Sequence, residues 1–128
     1  MGNGILAPDL ADQTIRAVNK FNLAFNRHDV NAIMAAMTED CVFENTHPPP
    51  DGTRYEGQAA VRTFWEAFFR ASPDAHFEVE EMLAAEDRCV VRWIYRKTKN
   101  NLPWHLRGVD VFRVQDGKVA EKLAYVKG

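Results

Sequence analysis

The chain has no long apolar run, no basic run and almost no cysteine. Two cysteines in 128 residues are too few for a disulfide framework, and no Cys-x-x-Cys pair offers a metal or redox site. Cys41 and Cys89 both lie in apolar, strand-like runs and read as buried thiols behaving as small hydrophobes. No stretch approaches the roughly 20 apolar residues that span a bilayer. The start, Met-Gly-Asn-Gly-Ile-Leu, lacks the basic region and apolar core of a signal peptide, and Leu6 stands where a myristoylation signal requires Ser or Thr. A net charge of −2, from 16 basic and 18 acidic residues spread through the chain, argues against nucleic acid or a membrane surface as partner. The four histidines show no metal-ligand spacing such as His-x-x-x-His, so no metal site is expected. A Gly-x-Ser-x-Gly elbow, a Cys beside a His and a Gly-rich phosphate loop are also missing, which removes the usual signatures of nucleophilic hydrolases and nucleotide binders. The reading left is a cytoplasmic, cofactor-free protein that handles a small molecule.

The composition is that of an ordinary globular domain, with 46% hydrophobic and 27% charged residues. Pro8 suits a first helical position, and Ile15, Val18, Phe21 and Phe25 then recur at helical steps. Asp29 is a natural N-cap for a second, shorter helix with the stripe Val30, Ile33, Met34 and Met37. A strand is expected at Cys41-Val42-Phe43-Glu44-Asn45, and the prolines of His47-Pro48-Pro49-Pro50-Asp51-Gly52 then force a surface loop. Gly57 opens a third helix with Val61, Phe64, Trp65, Phe68 and Phe69 on one face, stopped at Ser72-Pro73.

The remainder reads as strands. Phe77, Val79, Glu81 and Leu83 alternate with Glu78, Glu80 and Met82; a turn at Glu86-Asp87 leads into a run from Cys89 to Lys99. Asn100-Asn101 is a turn, a strand follows from Trp104 to Val114, and Asp116-Gly117 is the strongest hairpin signal before Val119 to Val126. No repeat or linker divides residues 1–128, so one domain is expected. Helices followed by hairpin-linked strands imply an α+β fold with an antiparallel sheet and the helices on one face.

Four segments carry a family resemblance: Phe25-Asn26-Arg27-His28-Asp29-Val30; Met37-Thr38-Glu39-Asp40-Cys41-Val42-Phe43; Gly57 through Trp65; and Arg107 through Val114 with Asp116-Gly117-Lys118-Val119. Together they resemble the NTF2-like superfamily, of cystatin-like fold, and within it the SnoaL-like and ketosteroid-isomerase-like proteins. The resemblance implies a cone-shaped curved antiparallel sheet wrapped around three N-terminal helices. It also implies a cavity in the mouth for a hydrophobic small molecule, and a homodimer through the outer sheet face. The superfamily includes isomerases, cyclases, dehydratases, hydrolases and non-catalytic binders, so activity must be argued from the pocket.

In the isomerases that the chain resembles, a helix Tyr and a protonated Asp hold an enolate oxygen, and a second Asp moves the proton. The matching positions here are Phe21, Asp110 and Asn45. The acidic position that cyclases and hydrolases place on the last strand is Ala124, and the Arg and Asp two apart that hydrolases require read Arg92 and Ile94. Asp110 therefore survives as the candidate acid, base or anchor, on the same strand face as Gly108 and Phe112. A carboxylate among apolar neighbours is protonated or paired, and Arg92 is the partner expected, whether in a functional site or in a structural ion pair. His47 is a further candidate base or anchor at the rim, whereas His105 is expected towards the dimer face. Asn45, Phe21, Trp65, Phe68 and Val126 are expected to line the cavity. The reading is thus a cofactor-independent acid–base enzyme on a hydrophobic, oxygen-bearing compound, or else a non-catalytic binding or dimerisation module of the same fold.

Overall fold

The computed structural model describes residues 9–128; Leu6 and Pro8, singled out above, lie outside them. The elements run α1 (Leu10–Asn26), α2 (Val30–Ala35), β1 (Met37–Glu44), β2 (Arg54–Glu56), α3 (Gln58–Ala71), β3 (His76–Ala85), β4 (Arg88–Lys99), β5 (Leu102–Gln115) and β6 (Lys118–Val126).

Local chemistry sets the helix ends. Asp9 caps α1 by accepting from Asp12 N at 2.8 Å, and Asp29 caps α2 by accepting from Ala32 N at 3.0 Å. The α2 stripe was expected to reach Met37, but the helix stops at Ala35 and Met37 opens β1. Met37 is buried in the core all the same, so its apolar side chain fits either reading. β1 therefore begins before the expected Cys41, through the polar Thr38-Glu39-Asp40, where its register with β6 shifts. Those polar residues break the apolar alternation that marks a strand. β2 was not foreseen: it is three residues long, mostly exposed, and held on β1 by the pairing Phe43↔Tyr55.

The strands form one curved, unclosed sheet in the order β2-β1-β6-β5-β4-β3. The expectation of antiparallel pairing holds except at β1–β6, which is parallel. β6 spends one edge on its hairpin with β5, and β1 reaches the other edge running in the same direction. Two hairpins carry the paired positive φ values of type I′ turns: Asn100 and Asn101 at 54° and 64°, Asp116 and Gly117 at 53° and 76°. Bulges shift the register at Val79/Glu81 and Arg113/Val114. The first corrects the alternation read for β3: Phe77 and Met82 pack on the core, while Leu83 is exposed beyond the bulge.

The helices are tied to the sheet by polar side chains as well as by packing. The Asn26 amide donates to Phe77 O and accepts from Phe77 N, both at 2.9 Å. Thr14 Oγ1 donates to Glu86 O at 2.6 Å, and Gln58 Nε2 donates to the carbonyls of Met34, Met37 and Thr38. These bonds seat α1 and α3 across the concave face. Phe21, Phe25, Val61, Trp65, Val91, Trp93 and Phe112 fill the space between, with T-shaped ring contacts such as Phe21–Phe112 at 5.8 Å.

At Gly108 the strand leaves no room for a side chain. A Cβ there would meet the Tyr125 carbonyl and the Trp93 ring. Gly108→Ala is therefore expected to destabilise the chain by about 1–3 kcal/mol, read by urea unfolding, through overpacking. An unchanged midpoint would show that both the Trp93 ring and the Tyr125 backbone have room to shift.

Candidate functional site

Strand pairing decides which side chains share the concave face. Asp110 lies between Val91 on β4 and Ala124 on β6, so Trp93, Tyr95, Lys122, Ala124 and Val126 belong to the same face. Lys122 and Asp110 are almost sealed from solvent, at 4% and 2% exposure, and Lys122 Nζ donates to Asp110 Oδ1 at 3.2 Å. The ammonium also sits over the rings of Phe43, Trp65 and Phe77, at 5.0, 5.6 and 5.9 Å from their centres. Burial pushes the Asp110 carboxyl above the usual range, and the charge and hydrogen bond of Lys122, helped by the Trp93 indole, pull it back only in part.

In front of this pair is an aromatic hollow of about 90 Å³. Phe25, Phe43, Phe64, Trp65, Phe68, Phe77, Trp93 and Tyr95 form its walls, Lys122 faces into it, and Asn45, Thr46, Ala124 and Val126 edge it. The last four residues also border an outer groove of about 400 Å³ that includes Glu44, Pro50, Asp51 and Tyr125. Three donors of these side chains are buried: Trp65 Nε1, Trp93 Nε1 and Tyr95 Oη. Trp93 Nε1 faces Asp110 and Tyr95 Oη faces Ser72, while Trp65 Nε1 has no acceptor among the described residues.

The sequence expectations sort against this geometry as follows. Asn45, Trp65, Phe68 and Val126 border the hollow. Phe21 does not; it is fully buried between Trp65 and Phe112 as plain core. Arg92 is not the partner of Asp110. It pairs with Val109 in the ladder, points to the outer face, and meets Glu81 at 3.6 Å. His47 is exposed in the proline loop, where its carbonyl accepts from Thr53 Oγ1 at 3.1 Å and its ring stands outside the hollow. His105 is exposed. No cluster of three metal-ligating side chains occurs among the described residues. Lys122 was missed, although its parity with Val126 on a strand of alternating faces was a usable signal.

Removing one member of a buried ion pair strands the other. Lys122→Met is expected to lower stability by about 3–5 kcal/mol, and Asp110→Leu combined with Lys122→Met to recover most of it. Urea unfolding of the two variants checks this; a double variant no better than the single one would show that the pair is not an energetic unit. In the folded chain Asp110 keeps its proton to higher pH than when unfolded. The stability it contributes is therefore complete below about pH 4 and is lost as pH rises through the raised folded pKa. Wild type should accordingly lose stability relative to Asp110→Asn across that window, and a flat difference would refute the raised pKa.

Residues 18–122 match the family model of the SnoaL-like domain. Among solved structures, an NTF2-like protein of unknown function from Mesorhizobium loti is similar at 38% identity, with a TM-score of 0.80 over 95% of this chain and 97% of that one. A SnoaL-like protein of unknown function from Burkholderia thailandensis shares 25% identity, with a TM-score of 0.74 over 94% and 100%. An LEH-like epoxide hydrolase from Mycobacterium tuberculosis, at 21% identity, has the same fold, with a TM-score of 0.78 over 94% and 83%. None of the curated proteins matches the chain. By the extent of the family match and by its fold, this chain belongs to the SnoaL-like family of the NTF2-like superfamily.

Proposed function

We propose that the chain binds a hydrophobic, oxygen-bearing small molecule in the aromatic hollow and moves a proton on it without a cofactor. That is acid–base chemistry of the isomerase, cyclase, dehydratase or hydrolase kind. The observation that carries this reading is the buried Asp110–Lys122 pair, whose ammonium faces an apolar hollow while its carboxyl is held partly towards the protonated form. An acid and a base kept at hydrogen-bond distance in a dry site can exchange a proton with a third group in van der Waals reach. Trp65 and Phe68 give the occupant its apolar walls, and Asn45 and Val126 hold it at the rim. The name of the similar hydrolase supports small-molecule chemistry on this fold but not a particular reaction, because the acidic positions that the family resemblance implies read Asn45 and Ala124 here.

Those same two residues, with a hollow well below the roughly 300 Å³ of an ordinary ligand site, favour a second reading: binding without turnover. In either case we place the chain in the cytoplasm as a homodimer through the outer sheet face. The buried thiols Cys41 and Cys89 are unpaired, as in a reducing compartment. For the dimer the support is an aliphatic row, Leu83, Val90, Val111 and Leu123, in direct register across β3 to β6 on the convex side.

Small ketones such as acetophenone and 3-methylbutan-2-one should raise the melting temperature by several degrees at saturating concentration, since a ligand of the native state stabilises it. In D₂O, the wild-type chain should also catalyse deuterium uptake at the carbon beside the ketone carbonyl. Asp110→Asn should slow that uptake by roughly 100-fold or more. Stabilisation without catalysed uptake leaves the binding module; neither effect removes the pocket as a functional site.

A further inference from the structure

Of the two buried charged groups, Lys122 lines the hollow, and Asp110 stands behind it, outside the wall. Strand alternation sets this order. Lys122, Ala124 and Val126 share one face of β6, and all three border the hollow; Ala124 and Val126 border the outer groove as well. A molecule entering from that groove passes the small Ala124 and then meets Lys122. The ammonium lies among three rings of the wall, those of Phe43, Trp65 and Phe77. Among the described residues its one hydrogen bond goes to Asp110 Oδ1.

An ammonium is no nucleophile. A lysine attacks a carbonyl carbon only after it has given up its proton, which a dry apolar pocket promotes. Here the acceptor for that proton is built in. On Nζ the proton makes an ion pair; on Oδ1 it leaves an uncharged amine beside a carboxylic acid. Burial strengthens the hold of Asp110 on a proton and so moves the balance towards the second arrangement. The thiols do not compete: burial raises both, Cys89 to about 11, and neither lines the hollow.

We infer that Lys122 is a nucleophile, whose amine condenses with a small aldehyde or ketone in the hollow to form an imine, with Asp110 as the proton carrier. This rests on the proposed function and gives it a substrate class, carbonyl compounds of a few carbons, as a hollow of about 90 Å³ requires. Nζ bonds to the carbonyl carbon while the C=O π pair moves to oxygen, which takes the proton of the Asp110 carboxyl. The carboxylate so formed takes a proton from the nitrogen and passes it to the hydroxyl. That hydroxyl leaves as water while the nitrogen lone pair closes the C=N bond. The product is an iminium beside the Asp110 carboxylate, so the buried site again holds one positive and one negative charge. The carboxylate then removes a proton from the carbon next to the iminium, giving an enamine, and the reverse steps with water release the compound. Covalent attachment also explains how a carboxyl outside the wall can act. The bound carbon is one bond from Nζ, which is itself 3.2 Å from Oδ1.

The wild-type chain tests this with 3-methylbutan-2-one and cyanoborohydride, which reduces an iminium to a stable secondary amine. Peptide mass spectrometry should find the alkyl group on Lys122 roughly tenfold or more above its level on Lys20, Lys97, Lys99, Lys118 and Lys127, all exposed or half-buried. In water enriched in heavy oxygen the ketone should exchange its oxygen, because every imine cycle expels it as water. Asp110→Asn should slow that exchange by roughly 100-fold or more. The double variant Asp110→Leu with Lys122→Met, expected above to recover most of the stability, should keep the melting shift with the ketone yet lose both trapping and exchange. Deuterium uptake or ketone binding without trapping and oxygen exchange would overturn the inference and leave the proposed function standing, as would alkylation spread evenly over the lysines. No melting shift, uptake, trapping or exchange would end both.

Discussion

The contact between Lys122 and Asp110 is the constraint around which the concave face is arranged. Two charges removed from water are each costly, and their attraction compensates only when the geometry is good and the remaining valences are met. Here the strands supply the geometry. Lys122 and Asp110 stand on adjacent antiparallel strands, diagonal to one another, with Ala124 rather than a large side chain directly opposite Asp110. Ala120 and Ala124 flank Lys122 on its own face, and small neighbours leave its long stem the room to lie across the sheet. The three rings over the ammonium then replace part of its lost hydration. A sheet without that pair would pack more simply with leucine at both positions, so burying the pair is not by itself a source of stability.

Much of the fold was legible because it is written in punctuation. The caps Asp9 and Asp29, the stop at Ser72-Pro73 and the turn dipeptides Asn100-Asn101 and Asp116-Gly117 each act within a few residues, where sequence and structure are closest. The register that placed Arg92 wrongly was legible too. Counting outward one residue at a time from Lys99 opposite Leu102 brings Asp110 opposite Val91 and turns Arg92 to the other face. What could not be read was the pair of bulges. One extra residue near Val114 shifts β6 by a position, and another at Glu80 reverses the faces of β3. Bulges follow from sheet curvature around a core that no local pattern describes. The parallel arrival of β1 beside β6 is likewise a matter of tertiary closure, not of local preference.

The candidate site was half legible for a related reason. Asp110 announced itself as a charge between valines, an anomaly visible in one strand alone. Lys122 did not, because a lysine on a last strand is ordinary until the face it shares with Val126 is followed inward. Phe21 shows the opposite error: an aromatic expected to line the cavity is absorbed into the core because its neighbours close over it. Trp65 and Phe112 do that here. Residue positions transferred from a family thus survive only where the local packing leaves the same space open.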